Sequence, residues 1–426
     1  MKTLYFGSTG PQVQLLQLAL KRAGYDPGQT DGIFGRRTEA ELRQFQSAAG
    51  LTADGIAGVQ THGALLPLYT GALRHTLRPG DTFYRLAQRY GTTPEAIEAA
   101  NPRADPLNLT VGQSLTVPLG FDVVPTDIDW CSELVRFCCE GLAARYPLLR
   151  LGRAGYSVLG RPLWLLRLGE GSNRVFYNAA HHANEWITTP LLLCFTEELT
   201  KGVTFAGEVG GVSAGALLEG TELAVLPCVN PDGMDLVTGD LSSGQDYDTA
   251  AEIARGWPSI PFPSGWKANI RGVDPNLQYP AGWETARRIK FSQGFTSPAP
   301  RDYVGEAPLV APESRAAHAF TLDFSPALTL SYHTQGGVIY WKFQGEAAPG
   351  AEEIARSFSE ASGYLVEDTP YASGFAGYKD WFIQNYNRPG YTIEAGMGDN
   401  PLPISAFPEI YRDNLGILTQ GMTATK

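Results

Sequence analysis

Sulfur, histidine and positive charge are all scarce in this chain of 426 residues. The five cysteines are Cys131, Cys138, Cys139, Cys194 and Cys228; their number is odd, two are adjacent, and no Cys-x-x-Cys pair occurs. That pattern speaks against a disulfide framework and predicts reduced, mostly buried thiols. Lysine and arginine total 33 against 44 acidic residues, a net charge of −11, which makes the chain a poor nucleic-acid binder. No apolar run approaches the roughly 20 residues a membrane span needs. The opening MKTLYFGSTGPQ also lacks the long apolar segment of a secretion signal. From that opening we expect either a mature chain or one that stays in its producing cell until released by lysis or a non-Sec route. What is plentiful is core material: 43% of residues are apolar and 11% aromatic. The length predicts two or three domains.

Residues 1–70 form the first expected part. Val13, Leu16 and Leu20 recur at helical spacing. The turn Asp31-Gly32-Ile33-Phe34-Gly35 returns as Asp54-Gly55-Ile56-Ala57-Gly58, each followed by a threonine (Thr38, Thr61) at the same offset. Three short helices joined by matched turns make a small three-helix bundle, and the doubled pattern resembles the bacterial peptidoglycan-binding module. Residues 73–119 read strand, helix, helix, strand. Thr82 precedes an apolar face of Phe83, Leu86, Ala87 and Tyr90, Thr93-Pro94 opens the next helix, and Asn101-Pro102 ends it. This βααβ pattern resembles a LysM module, which implies binding to N-acetylglucosamine-containing glycan.

Residues 120–426 alternate strand-like runs (163–168, 175–179, 223–229, 327–332, 390–393) with helix-like ones (132–144, 190–200, 313–324, 351–362). Such alternation predicts an α/β domain with a mixed, largely parallel twisted sheet flanked by helices. Sites in such sheets gather at the carboxyl ends of strands. His182 and Glu185 follow one strand-like run, and their i, i+3 spacing puts both on one side of a turn. His333 ends another. Two imidazoles and a carboxylate with a fourth position open is the plan of a catalytic zinc site, although His-x-x-Glu alone is more often an exposed ion pair. Glu394 ends a third run.

In chain order the motifs are His-x-x-Glu-Trp-Ile, Asn-Pro-Asp-Gly (from Asn230), Gly-Val-Asp-x-Asn (to Asn276), a lone His, a Tyr-containing loop, and a Glu before a Gly-rich turn. Together they resemble the zinc metallocarboxypeptidase family. The resemblance implies one Zn²⁺ held by His182, Glu185 and His333, and Glu394 as general base. It implies Asp274 as the carboxylate orienting His182, Asn276 as a substrate-carboxylate contact, and Tyr371 as a loop residue closing over substrate.

Departures from the family pattern bear on the substrate. The arginine that usually follows the Asn and grips a C-terminal carboxylate is here Leu277. The oxyanion-stabilising arginine falls on Lys267, with Arg271 as second candidate. Asn184 stands where an arginine is common, and Lys379 lies near the position that sets side-chain preference, where it would suit a substrate carboxylate. The stretch WKANIRGVDPNLQYPAGW resembles the branch that cleaves the γ-D-glutamyl–diamino acid (diaminopimelate) bond of peptidoglycan stems. That substrate is the expectation, with a wall- or spore-associated role. An ordinary carboxypeptidase acting on protein C-termini is the alternative within enzymes. A non-catalytic wall-binding protein is the alternative outside them. Histidines 62, 75 and 318 read as ordinary surface or helix positions, and His181 is left without a role.

Overall fold

Two buried glutamines organise the doubled Asp-Gly turn. In the computed structural model, which describes residues 1–426, helices α1 (Pro11–Arg22), α2 (Arg36–Ala48) and α3 (Val59–Thr70) form the amino-terminal bundle. Gln17 on α1 reaches Asp31 Oδ1 (2.9 Å), the Ile33 carbonyl (3.1 Å) and Thr38 Oγ1 (3.3 Å) with its Nε2, and Gly32 N–H donates to its Oε1 (3.0 Å). Gln46 on α2 repeats the set with Asp54, Ile56, Thr61 and Gly55 at 2.9, 3.0, 3.1 and 2.9 Å. The repeated threonine is thus the last member of a polar cluster that satisfies one buried amide.

The next module pairs β1 (Ala72–Thr76) with β2 (Ser114–Pro118) in antiparallel register. Between them run α4 (Phe83–Tyr90) and α5 (Pro94–Ala100). Thr82 and Thr93 cap these helices by accepting from Arg85 N–H (3.2 Å) and Ala96 N–H (3.1 Å). Two of the histidines read as ordinary surface or helix positions are buried in polar contacts. His75 lies between Asp81 Oδ2 (2.8 Å) and Tyr90 Oη (2.9 Å). His62 lies between Tyr69 Oη (3.0 Å) and the Lys2 carbonyl (2.9 Å). Helix α6 (Ser132–Arg145) belongs to the same compact unit, Met1–Arg150. Its Phe137 stacks on Tyr69 at 5.0 Å, and its Gly141 packs so tightly on the Thr70 carbonyl that a Cβ there would collide. Residues 120–150 therefore pack with the two modules. None of the five cysteines forms a disulfide, and four of them are buried.

The second unit, Leu151–Lys426, is built on an eight-stranded sheet. Its strands are β3 (Leu149–Tyr156), β4 (Pro162–Leu168), β5 (Asn173–Ala179), β8 (Thr221–Leu226), β9 (Leu328–His333), β10 (Val338–Tyr340), β11 (Leu365–Glu367) and β12 (Gly390–Glu394). β6 (Glu208–Val209) and β7 (Val212–Ser213) form a separate hairpin. The spatial order is β11-β10-β12-β9-β5-β8-β4-β3. The four central strands, β12, β9, β5 and β8, are mutually parallel, while β10 and β4 join them antiparallel. Central strands are buried along nearly their whole length, as a sheet covered on both faces requires.

Adjacent residues of β5 show the two covers. Phe176 meets Phe320 of α12 (Pro312–Phe324) and Tyr378 of α14 (Tyr378–Tyr386). Tyr177 meets Phe195 of α7 (Thr188–Thr204) and donates to the Leu418 carbonyl of α15 (Phe407–Gly421) at 2.8 Å. The remaining helices, α8 (Ala214–Leu218), α9 (Pro231–Val237), α10 (Gln245–Arg255), α11 (Trp283–Ser292) and α13 (Ala351–Ser362), lie in the connections. This is the mixed, largely parallel α/β fold the sequence predicts.

Removing a Gln17 or Gln46 amide strands a buried Gly N–H. Gln17→Ala should cost about 1–3 kcal/mol, read as a lower denaturant midpoint by circular dichroism. Gln44→Ala, at an exposed site on the same helix as Gln46, should shift the midpoint far less.

Candidate metal centre and substrate cleft

Three neighbouring parallel strands deliver the polar cluster. β5 ends at Ala179, and Ala180 then adopts a left-handed conformation (φ 52°). Its carbonyl accepts from Asn230 N–H (3.0 Å) and its N–H donates to Thr188 Oγ1 (3.1 Å). The chain turns there through His181 and His182 into a short 3₁₀ turn, Ala183–Glu185. On β9 and β12, His333 and Glu394 are direct register partners. Side chains paired across parallel strands share a face, so these two project together from the carboxyl edge of the sheet.

The ligand atoms of His182, Glu185 and His333 all lie within 4.8 Å of one another. His182 Nδ1 is 2.9 Å from Glu185 Oε1 and 3.2 Å from His333 Nδ1, which is 2.8 Å from Glu185 Oε2. Ligands about 2.0–2.1 Å from a tetrahedral Zn²⁺ lie about 3.3 Å apart, so the three atoms are already spaced close to the edges of such a site. Two rings aiming nitrogens at one point and a carboxylate completing the triangle is a donor set that suits zinc. The opposite edge of the His182 ring is held by a carboxylate, and that of His333 faces an amide. His182 Nε2 lies 3.2 Å from Asp274 Oδ1, and His333 Nε2 lies 3.3 Å from Asn276 Nδ2. Fixing the far nitrogen sets ring orientation at metal sites.

Electrostatics tie the cluster together. Burial pushes the Glu185 carboxyl up, yet His182, Lys267 and His333 outweigh it and hold it well below the carboxylate range. Burial pulls His182 down, and Glu185 and Asp274 more than reverse this, raising it to about 9. Burial, helped by Glu185, raises Glu394 above its ordinary value, against His333 and Lys267. Lys267 Nζ stands 2.8 Å from Glu185 Oε1; burial lowers it, but that carboxylate more than compensates.

A cavity opens on this cluster. It brings together His182, Lys267, Asp274, Asn276, His333, Lys379 and Glu394. An adjoining cavity shares Lys267, Arg301, Tyr340 and Glu394 and adds Asn184, Ser264, Thr334 and Gln335. Asn184 donates to the Ser264 carbonyl at 3.3 Å. Asn276 Oδ1 accepts from Tyr378 N–H (3.0 Å), so its amide is anchored. Lys379 lines the cavity, but its ammonium is occupied by the Lys342 carbonyl (2.5 Å), Thr369 Oγ1 (3.3 Å) and Asp380 Oδ1 (2.6 Å). Tyr371 is 66% exposed beside Phe375, while its neighbours Pro370 and Ser373 reach the wall. Arg271 is not brought in: it is half exposed, 3.5 Å from Asp246, and lines neither cavity. His181 is fully buried, with Nε2 2.9 Å from Tyr279 Oη and its ring stacked on His333, so it supports a ring of the cluster.

Sequence reasoning missed Lys290, Arg301, Asp302 and Tyr340 in this cleft. Arg301 and Asp302 arrive because the Pro300 carbonyl accepts from Lys267 N–H (2.8 Å) and Ala268 N–H (2.9 Å). That long-range backbone pairing leaves no mark in the spacing of SPAPRDYVG.

The zinc carboxypeptidase family matches residues 136–416, a peptidoglycan-binding domain family matches residues 9–65, and the LysM family matches residues 75–118. The chain is similar to the gamma-D-glutamyl-L-diamino acid endopeptidase 1 of Lysinibacillus sphaericus, 43% identical over 281 residues, which are 66% of this chain and 69% of the relative. A shorter stretch of 60 residues is 43% identical to a spore cortex-lytic enzyme of Bacillus cereus, covering 14% of this chain and 23% of that one. In fold it is similar to the solved carboxypeptidase A of Helicoverpa armigera, with a TM-score of 0.52, 19% identity, and coverage of 92% of this chain and 88% of that one.

The donor triangle predicts about one zinc per chain by mass spectrometry of purified protein. His182→Ala and His333→Ala should each lose most of it. Arg271→Ala should retain it, since that guanidinium lies outside the cleft.

Proposed function

The chain belongs to the zinc carboxypeptidase family, and from that premise we propose that it cleaves the γ-D-glutamyl–diamino acid bond of peptidoglycan stem peptides. The observation that carries this reading is the fate of Leu277. Its side chain is buried with Trp283, Ala286, Val304 and Ala376, so the position after Asn276 offers no cation to a protein C-terminus. The cations stand on the cleft walls instead, at Lys267, Lys290, Arg301 and Lys379. A stem peptide, with carboxylates beside the scissile bond rather than only at its end, suits that distribution. The similarity to an endopeptidase of this specificity supports it.

When bound by His182, Glu185 and His333, zinc supplies Lewis-acid polarisation and a water-derived nucleophile at neutral pH. Glu394, the register partner of His333, takes the proton of the attacking water on its carboxylate and returns it to the leaving amine. Positioned beside the metal ligands, it can carry that proton as an acid/base relay. Lys267 sets an ammonium beside the reacting carbonyl, where negative charge develops; as a point charge it lacks the two-pronged grip of arginine. Asp274 holds the His182 ring, Asn276 lies beside His333 and faces the leaving portion, and Tyr371 closes from the exposed rim. The two amino-terminal modules hold the enzyme on its polymer, the LysM module by N-acetylglucosamine-containing glycan, and so raise the local substrate concentration.

The peptidoglycan-binding and LysM modules support association with the wall, and no helix is long and apolar enough to cross a membrane. The likeness of a short stretch to a spore cortex-lytic enzyme supports a spore setting.

Zinc-loaded protein should release L-Ala-D-Glu from the tripeptide L-Ala-γ-D-Glu-diaminopimelate, detected by mass analysis of the products. An intact tripeptide would overturn the reading, and efficient trimming of ordinary C-terminal dipeptides would favour a general carboxypeptidase. Glu394→Gln should lower kcat by about 10²–10⁴-fold and leave zinc content and wall binding unchanged. Undiminished hydrolysis would remove Glu394 as the base.

A further inference from the structure

Of the four cations lining the main cavity, three are nearly covered and paired. Lys267 contacts Glu185, Lys290 contacts Asp302 Oδ1 at 2.5 Å, and Lys379 contacts Asp380 Oδ1, the Lys342 carbonyl and Thr369 Oγ1. Arg301 differs. It is 42% exposed, and its Nε holds Asp302 Oδ2 at 2.6 Å. A guanidinium carries five N–H donors in a fixed fork, so that contact orients the group and leaves its terminal amines for a ligand. Asp302 also serves Lys290, so one carboxylate faces two cations and the trio keeps a net positive charge.

The placement is tightly imposed. Pro300 is stitched to Lys267 and Ala268, Asp302 N–H donates to Asp274 Oδ2 (3.1 Å), and Asp274 N–H donates to the Tyr303 carbonyl (2.9 Å). Asp302 is held at φ 66°, a conformation that a non-glycine residue keeps only where its surroundings over-determine it. The same carboxylate that steadies His182 thus also fixes the segment presenting Arg301.

Arg301 lines both cavities, beside Lys267 and Glu394. The residues common to both mark where the bond is cut. Asn276, on the main cavity alone, faces the leaving portion, so the adjoining cavity takes the acyl side. A γ-linked D-glutamyl group differs from an ordinary acyl group in carrying a free α-carboxylate three carbons from the attacked carbonyl. We propose that Arg301 is a carboxylate subsite on the acyl side of the scissile bond, binding that α-carboxylate through its fork. The inference rests on the substrate class proposed above.

The test uses the zinc-loaded full chain and three tripeptides: L-Ala-γ-D-Glu-diaminopimelate, its analogue with the D-glutamyl α-carboxyl amidated, and its analogue with the diamino acid α-carboxyl amidated. The wild type should prefer the first over the second by roughly 10- to 100-fold in kcat/KM, the range for a hydrogen bond to a charged group. Arg301→Gln should bring that ratio close to one while preserving the ratio between the first and third. Arg301→Lys, which keeps the charge without the fork, should keep only part of it. Equal cleavage of the first two by the wild type would overturn the subsite while the proposed function stands. So would a proportional loss on all three substrates, or an effect of Arg301→Gln that follows the diamino acid carboxylate. No cleavage of any tripeptide would remove the substrate class, and the subsite with it.

Discussion

A buried carboxylate must be matched or it unfolds its surroundings, and Glu185 is the one around which the catalytic unit is arranged. It is 1% exposed, where an unpaired charge would cost several kcal/mol. One partner is local, His182 three residues back, and the others come from far downstream: Lys267, His333 and the Thr334 N–H at 3.4 Å. Satisfying Glu185 therefore requires that the turn after β5, the end of β9 and the loop holding Lys267 already be together. The parallel order β12-β9-β5 does this with backbone hydrogen bonds. The metal site is a by-product of the same demand: a divalent ion between two imidazoles and a carboxylate meets the requirement that the positive neighbours meet without it.

A layer of buried polar contacts keeps that arrangement rigid. The Asn-Pro-Asp-Gly turn does not reach the cleft. Asn230 donates to the carbonyls of His181 (3.2 Å) and Ala268 (2.9 Å), which clamps the histidine turn to the residue after Lys267. Asp232, fully buried, pairs with Arg161 (2.6 Å) and accepts from Ser157 Oγ (2.9 Å). Asn269 donates to Glu313 Oε2 (3.1 Å), and burial raises that glutamate to about 7 despite the hydrogen bond. Truncating any one of these leaves a buried group without its partner, which is why an ordered turn remote from the chemistry can be as demanding as a ligand.

What could be read from the sequence follows from what spacing encodes. Alternating runs gave the strands and helices of the second unit, because burial on both faces demands continuous apolar segments. Strand ends followed by His182, Glu185, His333 and Glu394 gave the cluster, because a parallel sheet gathers such ends. Other features depend on pairings that spacing does not carry. Arg271 stands four residues from Lys267, yet the intervening turn sends it to Asp246. Lys379 is in the cleft, yet the residue beside it, Asp380, takes its charge. Gln17 and Gln46 look like polar helix positions until the Asp-Gly turns fold over them, and His75 looks exposed until Asp81 and Tyr90 close around it. Arg301 sits in an undistinguished stretch and is placed by the backbone of its neighbour.

The charge balance of the cleft follows from these placements and bears on selectivity. Glu185, Asp274, Asp302, Asp380 and Glu394 face Lys267, Lys290, Arg301 and Lys379. With His182 raised to about 9 and so protonated, the set without a metal is close to neutral; a divalent cation, which takes the place of that proton, turns it positive. Anionic substrates are then drawn to a positive cleft on an acidic protein, over a range set by ionic strength. Lys267, Lys290 and Lys379 are nearly covered and each lies against a carboxylate, and only the Arg301 fork is both exposed and oriented. Affinity for a carboxylate-rich peptide can thus come from the whole set, while discrimination between a carboxylate and its amide needs a directed partner. The fold supplies one at the boundary of the two cavities.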